Sequence, residues 1–192
     1  MAGFIVQFSR TREGVSEGGH KPVFTLFAGL DCSDAREYDR TGGLASSPDM
    51  ANQYKTRAES EIKRVLHDAF GWALTKDRAL FESIFAEDED FFTFYPDSKS
   101  TVRGWSQFEE FLDRWMDPRS VAKGFDIRDL RIVVSRKGDT AWFSAIVDDE
   151  GEFDGKPWGT KDVRWTGVLE RRGGSWRICQ QHMSEPNDKV PQ

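Results

Sequence analysis

A chain of 192 residues that is 38% apolar and 13% aromatic has material for one hydrophobic core and little for a second. Its formal charge of -6 argues against a nucleic-acid partner, because phosphate-tracking surfaces cluster Lys and Arg to displace counterions and the Arg171-Arg172 pair stands alone at a hairpin tip. Cys32 and Cys179 lie far apart without CxxC or metal-ligand spacing, and no signal peptide or apolar run of about 18 residues is present. A soluble protein of the reducing cytoplasm is expected, with no membrane partner.

In residues 1–57 two short apolar runs, Phe4 to Phe8 and Pro22 to Ala28, sit among scattered glycines. Neither is long enough for a helix, and neither adjoins a turn that would pair them. This part is expected to be a poorly ordered extension. Two explanations stand side by side: an over-long start with Met50 as the alternative first residue, or a genuine tail that covers a sheet edge or a pocket mouth.

From Ala58 the residues Ile62, Val65, Leu66, Ala69, Phe70, Ala73 and Leu74 recur at spacings of three and four and form one apolar stripe of a helix, with Trp72 off the stripe. Asp77 has the chemistry to cap a second, short helix holding Leu80, Phe81, Ile84 and Phe85. Phe91 to Tyr95 reads as a strand that Pro96 ends or pushes to an edge. Ser106 can cap a helix from Gln107 to Met116, with Glu109 and Glu110 in the first turn where they favour the helix dipole, and Asp117-Pro118 stops it.

Four strands follow, about Phe125 to Ser135, Thr140 to Asp149, Lys161 to Arg172 and Ser175 to Ser184. Lys137-Gly138-Asp139 and Gly173-Gly174 supply hairpin turns, and residues 150–159 read as a longer acidic loop. The pattern predicts an α+β domain over residues 58–186, an antiparallel meander covered on one face by helices, followed by a flexible tail at 187–192. In the last strand Trp176, Ile178, Gln180, His182 and Ser184 alternate onto one face, so an apolar base grades into a polar end, as in the wall of a pocket.

The segments AESEIKRVLHDAFGWALT (58–75), DRALFESIF (77–85), the Gly104-Trp105 helix entrance, AWFSAIV (141–147) and the ending GGSWRICQQHMS, with its Trp-x-Ile-x-x-x-His-x-Ser pattern, carry a family resemblance. Residues 58–186 resemble the nuclear transport factor 2-like superfamily, and within it the SnoaL-like, ketosteroid-isomerase-like small domains. The resemblance implies a cone-shaped fold in which a curved antiparallel sheet wraps three N-terminal helices. That superfamily hosts dehydratases, isomerases, cyclases and non-catalytic assembly domains, so fold does not choose among them. Its steroid isomerases place an Asp base just before a Pro on the first strand; here Tyr95 precedes Pro96, which departs from that chemistry.

His182 is the candidate catalytic residue, because an imidazole exchanges protons near neutrality; the alternative is a buried ring satisfied by a neighbouring strand. Gln180 and Ser184 flank it as candidate ligand contacts. Tyr95 is either a hydrogen-bond donor to a ligand carbonyl or ordinary packing. Arg164 and Thr166 share a strand face that points either to a ligand or to solvent, and a bulge near the last turn would decide whether they or Trp165 and Gly167 face His182. Trp142 and Trp165 sit on facing strands and line a cavity or an oligomer face. The acidic stretches 87–90 and 148–152 lack the alternation of a calcium loop and read as solvated loops, so neither a metal nor another cofactor is expected. The expected function is binding of a small, partly apolar organic molecule in a pocket, with cofactor-free dehydration or isomerisation as the chemistry in view and a homodimer as the assembly. The other function in view is a non-catalytic association domain.

Overall fold

The computed structural model describes residues 48–96 and 101–187; the expectations for residues 1–47 and for 188–192 lie outside the described residues. Three helices and six strands follow in the order α1 (Pro48–Thr75), α2 (Arg78–Ile84), β1 (Phe92–Phe94), β2 (Thr101–Arg103), α3 (Trp105–Met116), β3 (Ser120–Val134), β4 (Thr140–Phe153), β5 (Lys156–Arg172) and β6 (Ser175–Ser184). The sheet order is β2-β1-β6-β5-β4-β3. The expected meander β3 to β6 forms its larger part. β1 lies parallel beside β6 and β2 pairs antiparallel with β1, so the curved antiparallel sheet expected carries one parallel pair.

α1 begins ten residues before the expected domain boundary at Ala58. Ala58, Ile62 and Leu66 are buried as the stripe predicts, but Leu74 is exposed and Trp72 is buried. The reason is tertiary: α2 and α3 pack on a second flank of α1, where the Trp72 ring meets Phe81 edge-on at 4.8 Å and Trp115 at 5.8 Å. Asp77 caps α2, accepting the Leu80 N–H at 2.9 Å. α3 starts two residues earlier than expected, at Trp105, with Gly104 at φ 76 as its N-cap and no side-chain cap, so Ser106 does not serve that role. Lys76 ends α1 in a left-handed conformation, and its ammonium donates to the Trp115, Met116 and Asp117 carbonyls at 3.3, 3.4 and 2.5 Å, tying the ends of α1 and α3 together.

The segment 150–159 is a continuation of the β4–β5 hairpin. Phe153 pairs with Lys156 across Asp154 and Gly155, at φ 53 and 73, the two positive values of a tight primed turn. Register shifts between Arg128 and Arg131 of β3 and opposite Val147–Asp149 on β5 coincide with Asp129 and Asp162 in left-handed conformations. Such bulges increase local bend and twist, and they curl the long strands around the helices.

One further bulge decides which residues face inward. Val168 pairs with Gln180 but Leu169 pairs with Ile178, leaving Cys179 as an extra residue in β6. Trp176 and Ile178, before the bulge, are buried against the helices; beyond it the inward residues are Gln181, 3% exposed, and Met183. The five-residue face expected from Trp176 to Ser184 is therefore split, with Gln180, His182 and Ser184 turned outward.

Candidate functional site

Six of the seven expected site residues meet on the sheet face that points away from the helices. The paired rows are Trp142–Val168–Gln180–Phe92, Ser144–Thr166–His182–Phe94 and Ile146–Arg164–Ser184. Arg164, Thr166 and His182 are exposed, Trp142 is 50% exposed, and the His182 ring stands edge-on to Phe94 at 5.8 Å. The parity left open by the sequence is thus resolved: Arg164 and Thr166 do accompany His182, on the outside, while Trp165 and Gly167 face the core. Trp142 and Trp165 lie on opposite faces of the sheet, so they do not line one cavity. Tyr95 alone of the expected residues lies on the inner side.

The inner face has its own polarity along the strands. At the end nearest the β5–β6 turn it is filled: Ala141, Leu169, Trp176 and Ile178 are all within 2% of full burial. Toward the other end inner-face side chains are partly accessible on three strands, Phe125 on β3, Asp149 on β4 and Met183 on β6, with Tyr95 just after β1, while Val163 of β5 stays buried. The helices meet this end with partly buried aromatics as well, Phe70 from α1 and Phe111 and Trp115 from α3. The inner face is thus filled at one end and partly accessible, among aromatic rings, at the other.

The rings fall into two contact clusters. Trp165, fully buried, receives Phe70 edge-on at 5.1 Å and Phe143 at 4.5 Å; Phe70 stacks on Phe125 at 5.5 Å. In the second, Tyr95 stacks on Phe111 at 5.9 Å and meets Trp115 edge-on at 6.2 Å. Gly167 makes room for the first cluster: a Cβ there would come within 2.7 Å of the Phe143 ring and 2.4 Å of the Gln180 carbonyl.

Polar groups on this face are few. The Trp165 indole donates to Gln181 Oε1 at 3.0 Å, which fixes the amide orientation. Thr93, register partner of Gln181, is fully buried and its hydroxyl has no hydrogen-bond partner. Burial pushes the Tyr95 phenol up, so it stays a neutral hydroxyl. Asp149 is the group that sequence reasoning missed. It continues the inward alternation of Phe143, Ala145 and Val147, and it neighbours Phe125 across the β3–β4 ladder. Desolvation raises its carboxyl to about 7, with the nearby Glu150 charge adding to the rise and the Glu150 N–H opposing it. The expected strand, Thr140 to Asp149, already includes it in the period-two row of Phe143, Ala145 and Val147, but the acidic stretch 148–152 reads as a solvated loop and hides it.

A small α+β cone, filled at one end and partly accessible among aromatics at the other, defines a class of domain, and comparison with known proteins agrees. Residues 62–188 match the SnoaL-like domain model, and the chain belongs to that family. No curated protein gives a significant match. Among solved structures, a nuclear transport factor 2-like superfamily protein from Salmonella enterica superposes with a TM-score of 0.59 at 20% identity, covering 71% of this chain and 96% of its own. An NTF2-like protein from Cytophaga hutchinsonii gives a TM-score of 0.55 at 16% identity, covering 67% and 98%. A Streptomyces avermitilis protein of the NTF2-like family, provisionally described as a dehydratase, gives 0.59 at 17%, covering 69% and 98%. At these identities the likeness is one of fold. No helix among the described residues is long and apolar enough to cross a membrane.

Proposed function

We propose that this domain binds a small, partly apolar organic molecule at the accessible end of its inner face, and that any chemistry it performs there is cofactor-free proton transfer, a dehydration or an isomerisation. The observation that supports this most is the group of partly accessible inner-face residues, Phe125, Asp149, Met183 and Tyr95, at the end of the face where Phe70 and Phe111 are also only partly buried. An aromatic concavity with a few placed polar groups is the general form of a small-molecule site. Tyr95 and Asp149 supply those polar groups; His182 belongs to the other face. The provisional dehydratase with the same fold fits this reading.

The test is an NMR titration of the full chain with small cyclic carbonyl and hydroxyl compounds. Binding is expected to move the resonances of Tyr95, Phe125 and Met183 and to be unaffected by His182→Gln. Shifts confined to Trp142 and His182 would place the binding surface outside and overturn the proposal.

A second reading rests on a separate observation. Val133, Trp142 and Phe94 are 43%, 50% and 41% exposed on the outer sheet face, with Ile146, Val168 and Phe92 beside them. Apolar side chains collected on a sheet face that no helix among the described residues covers favour association, here as a homodimer. Binding inside and pairing outside are compatible.

A further inference from the structure

We infer that two copies pairing through the outer sheet face take up a multivalent oxyanion between them, held by Arg131 and Arg164 with the His182 imidazole and the neighbouring hydroxyls. The inference rests on the outer-face pairing proposed above and goes further in naming a ligand that controls it. Charge placement carries it. The middle row of the outer face runs Arg131–Ser144–Thr166–His182–Phe94. Arg164 pairs with Ser184 as Thr166 pairs with His182, so these four form a square in which guanidinium, imidazole and both hydroxyls can all donate. The next row ends in Arg103, opposite Phe92.

Arg103, Arg131 and Arg164 are exposed, and none of them is in an ion pair among the described residues, whereas Arg128, Arg171, Arg172 and Arg177 elsewhere on the sheet are all paired. The three rows contain no carboxylate. Those nearest along the strands are already engaged: Asp148 and Asp162 with Arg128 and Lys161 at one end, and Glu170 with Arg172 at the other. A chain of formal charge -6 thus gathers unpaired cations among its exposed Trp142, Val133 and Phe94. A twofold contact sets a patch against its own copy. Wherever the axis falls within these rows, each guanidinium meets another guanidinium or a neutral group, and burying charge without a counter-charge is costly. The apolar residues draw the copies together, and the arginines hold them apart until an anion lies between them. Guanidiniums from two copies suit an anion with several oxygens, because each can donate two parallel hydrogen bonds to it.

Sedimentation equilibrium of the full chain at pH 7.5 tests this, in chloride alone and with about 10 mM inorganic phosphate or citrate at matched ionic strength. Phosphate or citrate is expected to lower the wild-type dimer dissociation constant by about tenfold or more relative to chloride. A response to phosphate alone assigns a phosphate-bearing ligand, and a response to citrate alone a polycarboxylate; either supports the inference. Arg164→Gln removes a self-repelling charge, so it is expected to dimerise more tightly than wild type in chloride and to lose most of the anion response. A guanidinium that only supported the fold would give the opposite sign in chloride. An undiminished anion response in Arg164→Gln would show a general salt effect and overturn the inference. A wild-type dimer equally tight in all three solutions would overturn it while leaving outer-face pairing intact. A wild type that stays monomeric in all three at tens of micromolar overturns both.

Discussion

Asp149 is ionisable in a place that opposes ionisation, and this has a thermodynamic signature apart from any ligand. An aspartate in an unfolded chain titrates near 3.9, whereas here desolvation lifts it to about 7. Between those values the folded state retains a proton that the unfolded chain has released, so stability is full below about pH 4, declines as pH rises to about 7, and then levels. Asp148, one residue away on the outer face, behaves oppositely: the Asp162 N–H, then Lys161 and Arg128, lower it to about 2, and its contribution fades only in acid. Asp149→Asn should therefore match wild type near pH 4 and exceed it by on the order of 1–2 kcal/mol at pH 8, a figure reduced for partial access to water. Thermal midpoints measured across this range check it; a difference independent of pH would mean the carboxyl titrates normally. His182 shows the converse difficulty for reading single residues from sequence. Its strand was legible, and its side was not, because the one-residue bulge at Cys179 reverses every later side chain and carries no glycine or proline to mark it.

At the scale of elements, α1 is tethered well ahead of the boundary suggested by its apolar stripe. The Tyr54 hydroxyl donates to the Gly138 carbonyl at 3.1 Å and accepts from Arg171 at 2.7 Å. Arg171 also faces Glu61 at 3.7 Å and lies over the Tyr54 and Trp176 rings. The start of the helix is thereby fastened to both the β3–β4 and β5–β6 turns. Tyr54→Phe keeps the ring and removes both hydroxyl bonds, so a loss of about 1 kcal/mol, roughly 2–4 °C for a chain of this size, is expected. An unchanged midpoint would show that the turns of α1 before Ala58 do not contribute to the fold. The sequence could not supply this contact, because Tyr54 is polar in context and lies outside the stripe. It did contain the signal for the β4–β5 turn: Asp154-Gly155 is a strong primed-turn dipeptide, hidden within a run dominated by its charge. β2 is only three residues long, too short to show any alternation, and its presence depends on pairing with β1.

For the molecule as a whole, the two faces of one sheet have different tasks to perform, and the fold separates them. The inner face buries its apolar residues at one end and leaves aromatics accessible at the other. The outer face has no helix over it among the described residues, yet Trp142, Val133 and Phe94 stand there with Arg164, Thr166 and His182 between them. Isolated exposed apolar residues are ordinary on a protein surface; neighbouring rows of them on the adjacent strands β3, β4 and β5, with two more on β1, are not. A second copy of the chain suits such a surface, because a twofold interface places the same mixed apolar and polar patch on both sides. The expectation is a homodimer at micromolar concentration, and Trp142→Arg, at the centre of the patch and without a role in the core, should shift it to monomer with the thermal midpoint of the fold changed by only a few degrees. Sedimentation equilibrium of wild type and variant measures this directly. A wild type that remains monomeric at tens of micromolar would refute outer-face pairing, and a dimer unaffected by Trp142→Arg would assign the contact to another surface. Because the inner-face site and the outer patch lie on opposite faces of the sheet, the monomeric variant should also retain small-molecule binding; joint loss of both would show that the site depends on assembly.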